Sequence, residues 1–183
     1  MNFFKKKELK VVLWSYNDEG KTHLLYQGFK GIKNFKTIPT CGFNVETINF
    51  NGIDITFWDW GYGRGIKERR QYYLSSCDAV IFLIDSSQTL PSTPDIYCNF
   101  KDNNEELQKC INIIEDIPLL IAITKIDIRK VNTLDLINAY QLQNLFERKK
   151  KFGIIECSSF TSEGIKEIEY WLSNLVKNKF RFP

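Results

Sequence analysis

A chain of 183 residues, 43% hydrophobic and 26% charged, is sized and composed for one globular domain, 1–183, around a single substantial core. Its formal net charge of +3 is too small to argue for nucleic acid or an anionic membrane as partner. Five scattered cysteines without CxxC spacing read as reduced thiols, and the single histidine, His23, excludes a His-based triad or a His-rich metal site. The apolar runs AVIFLI and PLLIAI are strand-sized and too short to span a bilayer. Neither a secretory signal nor the Met-Gly start of N-myristoylation opens the sequence, so the expected location is cytoplasmic.

In chain order, MNFFKKKELK places two aromatics before three lysines. It reads either as a weak, peripheral membrane-surface contact or as a frayed, solvated end, and 1–8 is expected to be flexible. LKVVLW (9–14) is a β-rich run, SYNDEGKT follows it, and a helical stretch then carries Leu25, Tyr26 and Phe29 on one face. FNVETINF and IDITFWDW are strand-like runs joined by Asn51-Gly52, a strong signal for a tight hairpin. DAVIFLID (78–85) and IPLLIAITK (117–125) read as fully buried strands of a parallel sheet, and GIIECSS (153–159) as a weaker one. Between them lie helical stripes, Leu107, Cys110, Ile111 and Ile114, then Ile165, Ile168, Leu172 and Val176. NTLD (132–135) resembles a capping box with Asp in place of Glu. Residues 86–104 are too long for a plain connection and read as an inserted loop, either partner-binding or disordered. The alternation predicts an α/β domain, doubly wound around a mostly parallel six-stranded sheet with one antiparallel hairpin strand.

The segment after the first strand is the first with chemistry in it. A phosphate loop needs curled backbone N–H groups, a helix N-terminus behind them, a Lys on the phosphate oxygens and a hydroxyl on Mg²⁺. Gly20, Lys21 and Thr22 supply the second half of GxxxxGK[ST]; Ser15 stands at the first glycine. A bare Gly-Lys-Thr is common by chance, and its place between a strand and a helix makes it a phosphate loop of a P-loop NTPase. Asn17, Asp18, Glu19, Gly20, Lys21, Thr22 and His23 are then the residues expected around the phosphates. Asp18 and Glu19 would repel them, and both are expected to point to solvent.

At KTIPTCGFNVETINFNGIDITFWD (36–59) the chain resembles the ADP-ribosylation-factor branch of the Ras superfamily of small GTPases. The ordered series GKT, IPTCGFN, WD, TKID, CSS carries the resemblance from about residue 7 to 178. It implies a GTP/GDP switch that uses Mg²⁺ and recruits protein effectors in membrane traffic or organelle and ciliary targeting. Lys21 would hold the β/γ-phosphates and Thr22 would ligate Mg²⁺. Thr40, in switch I, would bind Mg²⁺ and the γ-phosphate only in the GTP state, and Asp59 would hold the metal through water. In Thr124-Lys125-Ile126-Asp127, Asp127 would accept from guanine N1 and N2, Lys125 would lie over the ring, and the Ser158 amide would meet O6. The family has Asn at position 124, so Thr124 leaves one base contact open.

In WDWGYGRG (58–65), an ungapped match puts Tyr62 at the glycine whose N–H meets the γ-phosphate and Gly63 at the glutamine that orients water. A glycine cannot hold a water, so GTP hydrolysis is expected to be weak or absent, with no residue identified as catalytic. A one-residue slip would place Arg64 there instead.

The hairpin adds a clue of its own. A two-residue turn at Asn51-Gly52 pairs Asn49 with Asp54, Thr47 with Thr56, Val45 with Trp58 and Phe43 with Trp60, all on one face. That face is polar at the turn and aromatic at the far end, so it is read as a partner surface; covering by a helix or the N-terminus is the alternative. Phe43, Trp58 and Tyr73 match an aromatic effector-contact triad of the family. Two other functions fit parts of the sequence. One is a pseudo-GTPase scaffold that uses the aromatic face without regulated nucleotide binding; the other is a small-metabolite kinase, against which TKID and the hairpin argue.

Overall fold

The computed structural model describes residues 8–50, 52–61, 67–90, 99–148 and 151–179. Strand β1 (Glu8–Trp14) leads through the phosphate loop into α1 (Lys21–His23), which continues as a π-helical stretch over Leu24–Phe29. The hairpin β2 (Phe43–Phe50) and β3 (Ile53–Trp60) follows, then α2 (Lys67–Ser75) and β4 (Ala79–Asp85). The second half alternates α3 (Asn99–Ile113), β5 (Leu119–Thr124), α4 (Thr133–Ala139), α5 (Gln143–Arg148), β6 (Phe152–Glu156) and α6 (Ile165–Lys179).

The six strands lie in the order β2-β3-β1-β4-β5-β6. Only the β2–β3 pairing is antiparallel; the four others are parallel. The hairpin register is the one read from the sequence, Phe43 opposite Trp60, Val45 opposite Trp58, Thr47 opposite Thr56 and Asn49 opposite Asp54. Edge strand β2 alternates exposed and half-buried residues, whereas β4 and β5 are buried at every position, as expected of strands covered on both faces.

Alternation along the strands divides the core into two layers. Leu13, Phe57 and Ile81 pack on one face against Leu25 of the first helix and Ile168 and Leu172 of α6. Val12, Phe82 and Ile123 pack on the other against Leu74 of α2, Leu107 of α3 and Leu136 of α4. In such a sheet ligands bind beyond the carboxyl ends of the strands, where the strand order reverses. Here that place is the end of β1, since the chain proceeds from β1 to one side through β3 and to the other through β4.

Two expectations are corrected or bounded. The 86–104 segment is not loop throughout, because α3 already begins at Asn99. Its periodicity is hidden by Asn103, a polar residue buried at a core-facing position, where it accepts from Tyr16 N at 2.7 Å and donates to Leu83 O at 3.0 Å. At the N-terminus, residues 1–7 lie outside the described residues, and Glu8 belongs to β1. The NTLD capping motif is present, with Asn132 Oδ1 accepting from Asp135 N at 2.9 Å.

The turn into α6 supplies a test of local structure. Gly164 has φ +72, and a Cβ there would lie 1.8 Å from the Glu156 carbonyl oxygen. Gly164→Ala should therefore lower the unfolding free energy by about 1–3 kcal/mol, read from urea denaturation. An unchanged urea midpoint would mean that this turn can relax around a side chain.

Candidate functional site

The segments that follow β1 and β5 and the carboxyl end of β3 meet around a cleft of about 410 Å³. Its lining includes Asn17, Asp18, Gly20, Lys21, Thr22 and His23 from the phosphate loop and α1, and Lys125 beyond β5. Sequence reading missed the rest of the wall, formed by Thr37, Ile38 and Pro39 beside Thr40, and by Trp60 and Gly61 at the end of β3.

On the phosphate loop, Gly20 has φ +97 and turns the chain into α1. The Lys21 ammonium donates to Ser15 Oγ at 2.8 Å and to the Tyr16 carbonyl at 2.7 Å. Ser15, in the place of a glycine, thus gives its hydroxyl to the loop's own lysine. Asp18 is exposed, as expected, but Glu19 is not: it is 2% exposed, and its Oε2 accepts from Asp85 N at 2.6 Å. The expectation that Glu19 faces solvent is overturned, because the end of β4 offers its carboxylate a buried backbone donor.

Three oxygen-bearing residues converge at the end of β3. Thr22 Oγ1 donates to Asp59 Oδ2 at 2.8 Å and lies 3.2 Å from Thr40 Oγ1. Asn44 Nδ2 donates to the same Asp59 oxygen at 3.1 Å. Asn44 stands opposite Asp59 in the hairpin register, so the pairing read from the sequence already implied this neighbour. Asp59 is fully buried, and its Oδ1 has no hydrogen-bond partner among the described residues. Among the described residues no group of three His, Cys, Asp or Glu could hold a metal. One carboxylate with an open oxygen and two hydroxyls nonetheless suit a hard cation that keeps most of its waters, so the residues fit Mg²⁺.

Switch I is strapped directly onto this cluster. Gly61 N donates to Gly42 O at 2.9 Å, and a Cβ on Gly61 would come within 1.9 Å of the Thr40 carbonyl oxygen. Only a glycine admits so close a backbone. Tyr62, Gly63 and Arg64, on which the hydrolysis expectation rests, lie outside the described residues.

At the far end of the site, Lys125 has φ 58, and its ammonium donates to Asp18 O and Asp85 Oδ2, both at 2.7 Å. Burial raises the Asp85 carboxyl, and the bonds from Lys125 and Ser87 outweigh it, so Asp85 lies below its usual range. Asp85 was not singled out from the sequence; an acid ending a fully buried strand was the available signal. Thr124 is 4% exposed and donates to the Glu19 carbonyl at 2.8 Å, which ties the base loop to the phosphate loop. Asp127 is exposed, and Ser158 Oγ donates to its Oδ1 at 2.6 Å. The Ser158 amide, which the resemblance assigned to guanine O6, donates to Glu163 O at 3.0 Å. Ser158 therefore orients Asp127 through its side chain, with its amide already committed inside the turn.

The aromatic face is assembled but only partly open. Phe43 and Val45 are 48% and 41% exposed, whereas Trp60 is 2% exposed. Trp60 is thus core, covered by Phe43 and Tyr73 with ring centres 4.8 and 4.9 Å away. Trp58 is half-buried and stacks on Phe43 at 5.5 Å and Tyr73 at 4.8 Å, with the Lys10 ammonium over both the Trp58 and Tyr73 rings. No helix among the described residues is long and apolar enough to cross a membrane.

ADP-ribosylation factor J of Dictyostelium discoideum is 30% identical over 181 residues, spanning 95% of this chain and 88% of its own. ADP-ribosylation factor K of the same organism is 29% identical, with the same coverage of both chains. Among solved structures, the Arl6 BBS3 small GTPase from Trypanosoma brucei, with bound nucleotide analogue GppNp, matches with a TM-score of 0.76 at 23% identity. That match covers 94% of this chain and 99% of the other and speaks for a shared fold. A sequence profile of the ADP-ribosylation factor family matches residues 1–176, and the chain belongs to that family.

Proposed function

We propose that this protein is a guanine-nucleotide switch whose GTP-bound form presents the hairpin's aromatic face to protein effectors, in membrane traffic or organelle targeting. The observation that carries the reading is Thr40 of switch I, whose hydroxyl lies 3.2 Å from Thr22 beside Asp59, where one nucleotide-bound cation could hold both. Lys21 would leave its loop oxygens for the β- and γ-phosphates. Thr22 and Thr40, with Asp59 through water, would hold Mg²⁺, which when bound neutralises phosphate charge. Asp127, oriented by Ser158, would accept from guanine N1 and N2, and the Lys125 stem would cover the ring. Loss of the γ-phosphate would remove a reason for Thr40 to stay on Gly61, which is how an order-to-disorder switch operates.

The scaffold reading draws support from Glu19, an acid buried within the phosphate loop. Nucleotide content decides between the two. Protein purified under native conditions should release close to one guanine nucleotide per chain on denaturation; its absence would favour the scaffold. Titration should show GDP bound far more tightly than ADP, and Asp127→Asn should weaken GDP by about 1–3 kcal/mol through loss of a charge-assisted pair. Equal affinity for GDP and ADP would overturn the base assignment.

Hydrolysis is proposed to be slow on the sequence of the WDWGYGRG turn. In single-turnover assays on preloaded protein the rate should be on the order of 10⁻⁴ per second or less. Restoring Gly at 62 and Gln at 63 together should raise it by more than the two single changes combined. A wild-type rate equal to that of the double variant would mean that another group positions the water.

For effectors, Phe43 is the more exposed probe, although its ring also covers Trp60 and stacks on Trp58. Phe43→Ala should weaken a GTP-dependent partner by at least ~2 kcal/mol if it is a hot spot, and Phe43→Leu, which keeps an apolar cover over Trp60, should weaken it with a smaller loss of thermal stability than Phe43→Ala. Undiminished binding would move the partner surface elsewhere.

A further inference from the structure

Glu19 directly precedes the Gly-Lys-Thr triplet and is almost fully enclosed. It ties the phosphate loop to two strand ends. Its Oε2 accepts from Asp85 N at the end of β4, and its carbonyl accepts from the Thr124 hydroxyl at the end of β5, 2.6 and 2.8 Å away. The charged groups facing it are Asp85 from β4, Lys125 from the segment after β5, and Lys21 from α1. Both ammonium groups are engaged elsewhere, Lys125 with Asp85 and Asp18, and Lys21 with Ser15 and Tyr16.

Burial, reinforced by the Asp85 charge, pushes the Glu19 carboxyl up to about 8, against the downward pull of the Asp85 N–H and the two lysines. Enclosure by the strand ends, with a single backbone donor and, among the described residues, no direct ion pair to its carboxylate, favours the protonated acid near neutral pH. A neutral acid keeps the bond from Asp85 N and adds no buried negative charge behind the loop that would cradle the phosphates.

We propose that nucleotide binding is linked to a proton on Glu19: the loop accepts the anionic phosphates while Glu19 is protonated and repels them once it ionises. This rests on the nucleotide reading of the same cleft. A ligand that prefers the protonated form raises the proton affinity of Glu19 when it binds, by reciprocal linkage. Affinity should be flat below the folded-state titration and fall above it. Stability follows a different window. The folded-state value lies above the ordinary 4.5, so the folded protein retains a proton that the unfolded chain has lost. Stability is fully present below that ordinary value and declines as pH rises to about 8, where the folded protein also releases the proton.

The test measures GDP affinity with Mg²⁺ between about pH 7 and about pH 9 for the full chain and its Glu19→Gln and Glu19→Ala variants. For the wild type the Kd should rise about tenfold over that range, the expectation for one proton lost about a unit below its upper end. Both variants should lack this rise; titration of the guanine ring is common to all three and cancels in the comparison. Thermal midpoints of the nucleotide-free proteins supply a second readout, independent of binding. The wild type should lose stability relative to Glu19→Gln between about pH 5 and about pH 8, and no further above it. Equal Kd ratios in wild type and Glu19→Gln, or a midpoint difference that does not change with pH, would overturn the proposal alone. Failure of all three proteins to bind GDP at any pH would overturn the nucleotide reading with it.

Discussion

The Asp59 carboxylate, fully buried at the end of β3, accepts from Thr22 on α1 and Asn44 on β2, while its second oxygen has no partner among the described residues. Burying a carboxylate is costly unless its oxygens are satisfied, so the neighbouring elements are constrained to deliver donors to this point. The phosphate loop must end close enough for Thr22 to reach it, and the hairpin register must put Asn44 opposite it. Slipping β2 by one residue would turn Asn44 away and expose the wrong face of the strand. Thr40 and Gly61 then close over the same spot. Sheet pairing, helix start and switch I are thereby fixed relative to one carboxylate.

Much of this was legible in the sequence because it depends on short-range rules. Period-two alternation and Asn51-Gly52 were enough to specify the β2–β3 register residue by residue. The unbroken apolar runs of β4 and β5 announced central, doubly covered strands. What was not legible depends on tertiary partners. Glu19 looks solvent-bound until the end of β4 is seen to offer it Asp85 N. Asn103 breaks an apolar stripe because its amide serves the phosphate loop and β4, so the start of α3 was hidden within an apparent loop. Trp60 continues an alternating surface pattern yet is core, because Phe43 and Tyr73 lie over it. In each case a long-range contact overrides the local pattern.

Two departures from the family's motifs that lie within the described residues, at Ser15 and Thr124, are locally compensated. Ser15 replaces a glycine and gives its hydroxyl to Lys21; Thr124 replaces an asparagine and still bonds the phosphate loop, through the Glu19 carbonyl. Glu19 itself takes the Asp85 amide. A cleft drifting without constraint would be expected to collect buried polar groups with no partners, each costing on the order of 1–3 kcal/mol. Here Ser15, Glu19 and Thr124 have partners; the buried atoms left open among the described residues include the indole nitrogens of Trp58 and Trp60 and Asp59 Oδ1, the last on the one carboxylate of the set suited to a cation. That pattern supports a site held to a ligand's requirements more than a remnant.

The same strap that closes the cleft also shapes the aromatic surface. From Thr40 to Phe43 there are only three peptide steps, and the Gly42 carbonyl between them is fixed by Gly61 N. Phe43 is in turn the exposed ring that covers Trp60 and stacks on Trp58. Withdrawing Thr40 from Thr22 while Phe43 stays in place would stretch a segment at most ~11 Å long when fully extended. A larger excursion must break the Gly61–Gly42 bond and lift Phe43, which would open Trp60 to water. Tyr73 would still cover part of that indole, so the exposure is unfavourable by no more than the transfer cost of a large apolar side chain, about 1.5–3 kcal/mol. The placement of Thr40 and the shape of the aromatic surface are therefore coupled by chain length and ring packing, with no longer pathway required.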